Sequence, residues 1–194
     1  CAVSGVRMLT YKHPKAKTCA VCERVFVPDR MGQRVCRPAC AMASVRQAKK
    51  AERASIKARK EAIKTIPDLI KEAQREFNAY IRARDADQLC ICCGNPLGTG
   101  EVGGAFDCGH YRSTGSASHL RFDERNAHAQ RKVCNRWGAG RAVDYRLGLV
   151  ERIGLEAVVA LESSNTPHKW TADELRGIRD HYRQKLKDTL KGRA

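Results

Sequence analysis

Two close cysteine pairs, Cys19-x₂-Cys22 and Cys36-x₃-Cys40, stand near the start of the chain, and a second set, Cys90-x-Cys92-Cys93 with Cys134, brackets its middle. Pairs at this spacing, separated by a short basic loop, can place four thiolates tetrahedrally around Zn²⁺. Alternating apolar residues up to Phe26 and turn residues between the pairs suit a short hairpin that carries such a site. So small an apolar core supplies little folding free energy, which makes a Cys₄ zinc at Cys19, Cys22, Cys36 and Cys40 a structural one. Arg24, Arg30, Arg34 and Arg37 surround it and are candidates to meet phosphates.

Between the later cysteines, Phe106-Asp107-Cys108-Gly109-His110-Tyr111 reads as a strand ending in a carboxylate and an imidazole, with a glycine that would let backbone approach a phosphate. Neutral imidazole can take a proton from water near pH 7, so His110 is the candidate general base. Asp107 and Asn135 are hard oxygen donors for Mg²⁺ or Mn²⁺, whose charge would stabilise a leaving oxyanion. Hydrolysis of a phosphodiester needs such a set. A second zinc drawn from both ends of this stretch would pin it shut. Cys90, Cys93 and Cys134 are three ligands, and the fourth is open among Cys108, Cys92 and His128, because Arg131 stands three residues before Cys134.

The whole chain favours a polyanionic partner. Lys and Arg number 37 against 21 Asp and Glu, a formal net charge of +16 with a pI near 9.7, and binding phosphates releases condensed counterions. The 194 residues allow one or two compact domains plus an extended element. Ten cysteines without a signal-like apolar segment fit metal ligation or buried thiols in a reducing cytosol rather than a disulfide scaffold. No apolar run approaches the roughly 20 residues that span a bilayer, so no membrane partner is expected. The first residue is not Met, from which a trimmed N-terminus is expected; Cys1 is left unassigned. Aromatic residues make up 6%, which counts against RNA recognition by base stacking.

The elements that must position these groups are mostly helical. Ala43 to Ile66 has no Gly or Pro and predicts a continuous helix. Its Arg46, Lys49, Lys50, Arg53, Lys57, Arg59, Lys60 and Lys64 face only Glu52 and Glu61, and its apolar residues are too sparse for a core stripe, so it reads as an exposed arm. Pro67 and Asp68 open a second helix with Leu69, Ile70, Ala73, Phe77, Tyr80 and Ile81 at helical spacing. Later helical pieces break at Gly154, and Thr171-x-x-Glu174 is a capping box before Leu175, Ile178, Tyr182, Leu186 and Leu190. Ser113 to Ser118 reads as a mobile or solvated loop, and His13, His119, His168 and His181 as surface residues.

Several motifs together carry a resemblance: Cys90-x₂-Cys93-Gly94, Asp107-x-Gly109-His110-Tyr111, the run from Leu120 through Asn126 and His128 to Gln130, and Cys134-Asn135, followed by Gly140 and Tyr145-Arg146. On these the chain resembles, over essentially its whole length, the NinG/Rap family of phage recombination endonucleases, structure-specific nucleases of branched intermediates such as Holliday junctions and D-loops. Its central part is also similar to the ββα-metal (HNH) class, in particular phage endonuclease VII, where a Cys-Asn pair ends the zinc knuckle. The resemblance implies His110 as general base, Asn135 as ligand of the catalytic metal and Asn126 as the residue that holds the loop. Asp107 transfers less directly, because Cys108 and Gly109 stand between it and the histidine. Where the family pattern has Cys this chain has Arg131, and where it has Ala this chain has Cys108. The implication is a thiolate relocated to Cys108, or else a Cys₃His site completed by His128.

The resulting expectation is an α+β chain: a zinc knuckle over 1–42, a basic arm and packing helix over 43–88, a zinc-pinned ββα-metal nuclease module over 89–147 and C-terminal helices over 148–194. DNA contacts are assigned to Lys49, Lys50, Arg53, Lys57 and Lys60 of the arm and to Arg112 and Arg131 of the module. Cutting both strands of a junction favours a C₂ homodimer through the long helices. The setting implied is the host bacterial cytoplasm, with phage or host recombination proteins as possible partners. The rival expectation is a non-catalytic zinc protein that binds DNA during recombination.

Overall fold

The computed structural model describes residues 15–98, 105–138 and 140–193. Cys1 and His13 lie outside them. The chain divides between Ile63 and Lys64 into two compact units.

In the first unit, β1 (Lys17–Thr18) pairs antiparallel with β2 (Val25–Phe26), Thr18 opposite Val25. The turn between them places Glu23 at φ 58°, bringing its N–H to the Cys19 carbonyl at 3.0 Å. Helix α1 (Pro38–Ala62) starts inside the knuckle rather than at Ala43, because Pro38 is preorganised for a first helical turn. It ends before Ile66 because Thr65 caps the next helix. Only Cys40 of α1 is buried, and every residue from Val45 to Lys60 is exposed.

The second unit begins with α2 (Ile66–Arg84), where Thr65 and Asp68 form a capping box. Its Leu69, Ala73, Phe77, Tyr80 and Ile81 are buried against Leu175 and Tyr182 of α5 (Ala172–Lys191), which opens on the Thr171–Glu174 capping box. The two helices run parallel, with Glu72 bound to Arg179 at 3.0 Å and Glu76 to Arg183 at 3.3 Å. Strands β3 (Phe106–His110) and β4 (Ala127–Arg131) pair antiparallel with Cys108 opposite Ala129 and His110 opposite Ala127. Cys108 and Ala127 pack on the α2–α5 layer. On the other face, Tyr145 of α3 (Ala142–Ile153) donates its hydroxyl to the Gly109 carbonyl at 3.0 Å. Helix α4 (Leu155–Ser163) follows Gly154, whose φ of 84° breaks the helix as its position suggested, and closes a second core of Ile91, Leu120, Tyr145, Leu149, Val158 and Leu161.

The free edge of β4 is covered by the end of α2. Arg84 donates to the Ala127 carbonyl at 2.9 Å and buried Asp85 accepts the Ala129 N–H at 2.9 Å, while the Ile91 N–H binds the Ala129 carbonyl. An edge so occupied cannot recruit another strand. Among the described residues the architecture is mixed α+β, with two small sheets and mostly helices. No helix among the described residues is long and apolar enough to cross a membrane.

Candidate metal centres and the strand-end histidine

The sulfur atoms of Cys19, Cys22, Cys36 and Cys40 all lie within 4.8 Å of one another. Cys22 and Cys36 sulfurs are 3.4 Å apart and those of Cys36 and Cys40 are 3.8 Å apart. Tetrahedral zinc with Zn–S bonds near 2.3 Å requires sulfur separations of roughly 3.8 Å, so the donors fit Zn²⁺. The knuckle turn sets the first pair and the first turn of α1 supplies Cys40, which fastens the basic helix to the cluster. Backbone N–H groups of Cys22, Val21 and Cys36 draw the Cys19 thiol down to about 6 against the effect of burial, whereas contact with Cys22 and burial push Cys36 up to about 12. One thiolate forms readily and its neighbours resist a second negative charge, a conflict that a central cation removes.

The second cluster corrects the expected ligand set. Cys90, Cys92, Cys93 and Cys134 have sulfurs within 4.8 Å of one another, with 3.6 Å between Cys90 and Cys92. Cys108 is not among them: it points to the opposite layer, buried with Phe77 and Phe122, and burial there pushes its thiol up to about 12. His128 is also outside the cluster. Its ring is buried against Tyr145 with Nδ1 unpartnered, and burial lowers its pKa to about 3. The Gly94 turn, at φ 65°, curls the chain so that the adjacent Cys92 and Cys93 both reach the centre. Burial would raise Cys93, yet the Asn95 backbone N–H, the Cys90 and Cys134 sulfurs and Arg131 bring it down to about 7. Arg131 therefore stands beside the cluster as a cation where a fourth thiolate was expected downstream, and Arg141 similarly contacts Cys134.

Cys134 and Asn135 sit in a single π turn, Val133–Trp137. Asn135 donates to Asp107 at 3.2 Å, and Arg136 grips both oxygens of that carboxylate at 2.8 and 3.0 Å. Partial burial would raise Asp107, but Arg136 and Asn135 outweigh it and hold its pKa below the ordinary range. The oxygen donors of Asp107 and Asn135 suit a hard cation, and a guanidinium already occupies the carboxylate. His110 is not with them. Side chains alternate along β3, so His110 faces Phe77 of α2, at 5.9 Å between rings, while Asp107 faces the π turn.

His110 has its own geometry. Nε2 lies 3.0 Å from the Arg121 carbonyl, which can only accept, so Nε2 carries the proton and Nδ1 the lone pair. Burial, aided by the Arg121 charge, keeps the ring neutral even though the carbonyl bond favours its charged form. Fully buried Asn126 spans the intervening loop: Oδ1 accepts the Arg112 N–H at 2.8 Å, and Nδ2 donates to the Arg112 and Leu120 carbonyls at 3.0 and 3.1 Å.

Other expected roles move. Arg112 does not face outward; its guanidinium binds the carbonyls of Leu161, Glu162 and Ser164, satisfying the orphan end of α4. Gly109 does not make room for a phosphate, because the Gln130 amide fills that space: a Cβ there would lie 2.2 Å from Gln130 Oε1. In α1, Arg46, Lys49, Lys50, Arg53, Lys57 and Lys60 recur at spacings of three, four and seven residues, which puts them within about 100° of one helix face. Composition could not have singled out Arg84, Asp85 or Gln130, whose partners are distant in the chain.

A mixed α+β chain with two four-cysteine clusters and a one-sided basic helix is the class defined by these features. The chain belongs to the NinG family. The family model described as Bacteriophage Lambda NinG protein matches residues 11–192. The chain is 39% identical to protein ninG of Escherichia phage 933W over 200 residues, covering 93% of this chain and 97% of that one. It is 40% identical to protein ninG of Salmonella phage P22, and 39% to that of Escherichia phage lambda, each over 192 residues covering 89% of this chain and 92% of the relative. No solved structure matches it.

Proposed function

We propose that the chain is an endonuclease that hydrolyses phosphodiester bonds of branched DNA, such as Holliday junctions and D-loops, during phage recombination in the host bacterium. The supporting observation is His110: a neutral imidazole at a strand end, with its tautomer held by the Arg121 carbonyl and Nδ1 left as the base. The hairpin that carries it is fastened by a cysteine cluster at one end and the Asn126 clamp at the other, as the resemblance to the ββα-metal class implies. Zn²⁺ at the two clusters is structural in this reading. Mg²⁺ or Mn²⁺ would neutralise charge on the phosphate, with Asp107 and Asn135 as its oxygen donors. They lie across the strand from His110, and Arg136 holds Asp107.

The basic face of α1 supplies duplex affinity. The apolar faces of α2 and α5 are used within the chain, which leaves α1 as the long helix for a C₂ dimer. The second reading is a non-catalytic zinc protein that binds recombining DNA, favoured by the separation of Asp107 from His110. Cleavage of four-way and linear DNA by the full chain with added Mg²⁺ or Mn²⁺ separates the two. His110→Ala should lose about 10²–10⁴-fold in rate with junction binding retained. Equal cleavage by that variant removes His110 as base, and a native chain that binds junctions and cuts none establishes the second reading.

A further inference from the structure

The chain has two tryptophans, and their settings differ. Trp170 is half-buried against Phe122, and its indole N–H binds the Ser118 carbonyl at 3.2 Å. Trp137 is 84% exposed at the end of the π turn that carries Cys134 and Asn135. Beside it Val133 is 52% exposed. Trp137, Val133, Pro96, Leu97, Arg131 and Lys132 line one surface groove, and none of its lining residues among the described ones is acidic.

We propose that Trp137 is a stacking platform for an unpaired nucleobase, with Lys132 and Arg131 meeting the phosphates of the same single strand. The proposal rests on the reading that the partner is DNA, and it adds a site for the splayed or single-stranded part of a branch. A flat indole offers a face to any base, and the cations Arg131 and Lys132 on the rim complement the backbone charge, which is the pairing that non-specific single-strand binding uses. Duplex DNA keeps its bases stacked inside and cannot use such a platform. The placement also couples binding to structure: Trp137 closes the turn that begins beside the ligand Cys134, so the cluster that holds this turn also holds the platform. The low aromatic content that counted against base stacking conceals that one of the few aromatic side chains is presented to solvent.

The full chain, with no Mg²⁺ or Mn²⁺ added, should be titrated with a labelled oligothymidylate strand and with a labelled blunt duplex at one salt concentration. Trp137→Ala should weaken single-strand binding by about 5- to 100-fold and leave duplex affinity within about twofold, while Trp137→Phe keeps most of the single-strand affinity. Trp137 is exposed and its truncation empties no core, and the unchanged duplex arm checks that the fold is kept. Equal losses on both DNAs, no loss on the single strand, or no single-strand binding by the native chain overturns the proposal. So does a change in oligomeric mass at unchanged strand affinity, which would make the groove a protein contact. Because no cleavage is read, an inactive native chain would refute the nuclease and leave this result standing.

Discussion

The two cysteine clusters use the same four donors to different ends. In the first unit the cluster stands almost alone: Cys19, Pro28 and Cys40 are the buried residues among its described members, and the helix it anchors is exposed. In the second unit the cluster is one of three cores, joined to the others through β4 and Ile91. A four-cysteine cluster can therefore be the main fastening of one region and one of several in another, and the difference follows from how much apolar surface each region buries.

The largest expected effect tests that contrast directly. Cys19→Ala or Cys40→Ala should unfold the first unit, since structural zinc contributes on the order of 10 kcal/mol to such small folds. Helical signal from α1 and one equivalent of zinc should be lost while the second unit melts as before. Simultaneous melting of both units would end the comparison. Cys92→Ala should cost the other zinc but leave the α2–α5 layer protected from hydrogen exchange, because that layer has its own core.

Smaller effects belong to the second unit alone. Asn126→Ala leaves one N–H and two carbonyls unpaired in a buried loop, at a cost of about 2–4 kcal/mol by denaturant unfolding. The pH dependence should be separate as well. Buried His128 has a folded pKa of about 3, far below the unfolded value near 6.5, so the unfolded chain binds the proton first. The stability it contributes is present above about pH 6.5 and falls as pH drops toward 3, by up to about 1.4 kcal/mol per pH unit. His128→Gln should flatten that slope in the second unit's melting. The smallest effect is Cys108→Ala, which removes one buried sulfur at about 1–2 kcal/mol and should leave both zinc ions bound. Loss of a zinc ion from that variant would restore Cys108 as a ligand.

How much was legible differs between the same two regions. The first cluster is read from spacing because all four donors lie within one knuckle and one helical turn. In the second, Cys92 and Cys108 are equally plausible from spacing, and the choice is made by which layer each strand face packs against. Part of this is legible in the sequence: alternation along Phe106–His110 sends Asp107 and His110 to opposite sides. Nearness in the motif is not nearness in space. Arg112 offered no such signal, since its partners at the end of α4 are about fifty residues away.

By itself, the amino-acid sequence determined the family, the strong net positive charge, the capping boxes at Thr65 and Thr171, the break at Gly154 and the first four-cysteine cluster. Each is a local property, set by residues within one turn or by the total of ionised groups. Tertiary structure alone decided the fourth donor of the second cluster, the covering of the β4 edge by Arg84 and Asp85, the Arg136 grip on Asp107 and the exposure of Trp137. Those depend on which distant surfaces pack together, because burial selects the face of every strand and turn after the local elements have formed.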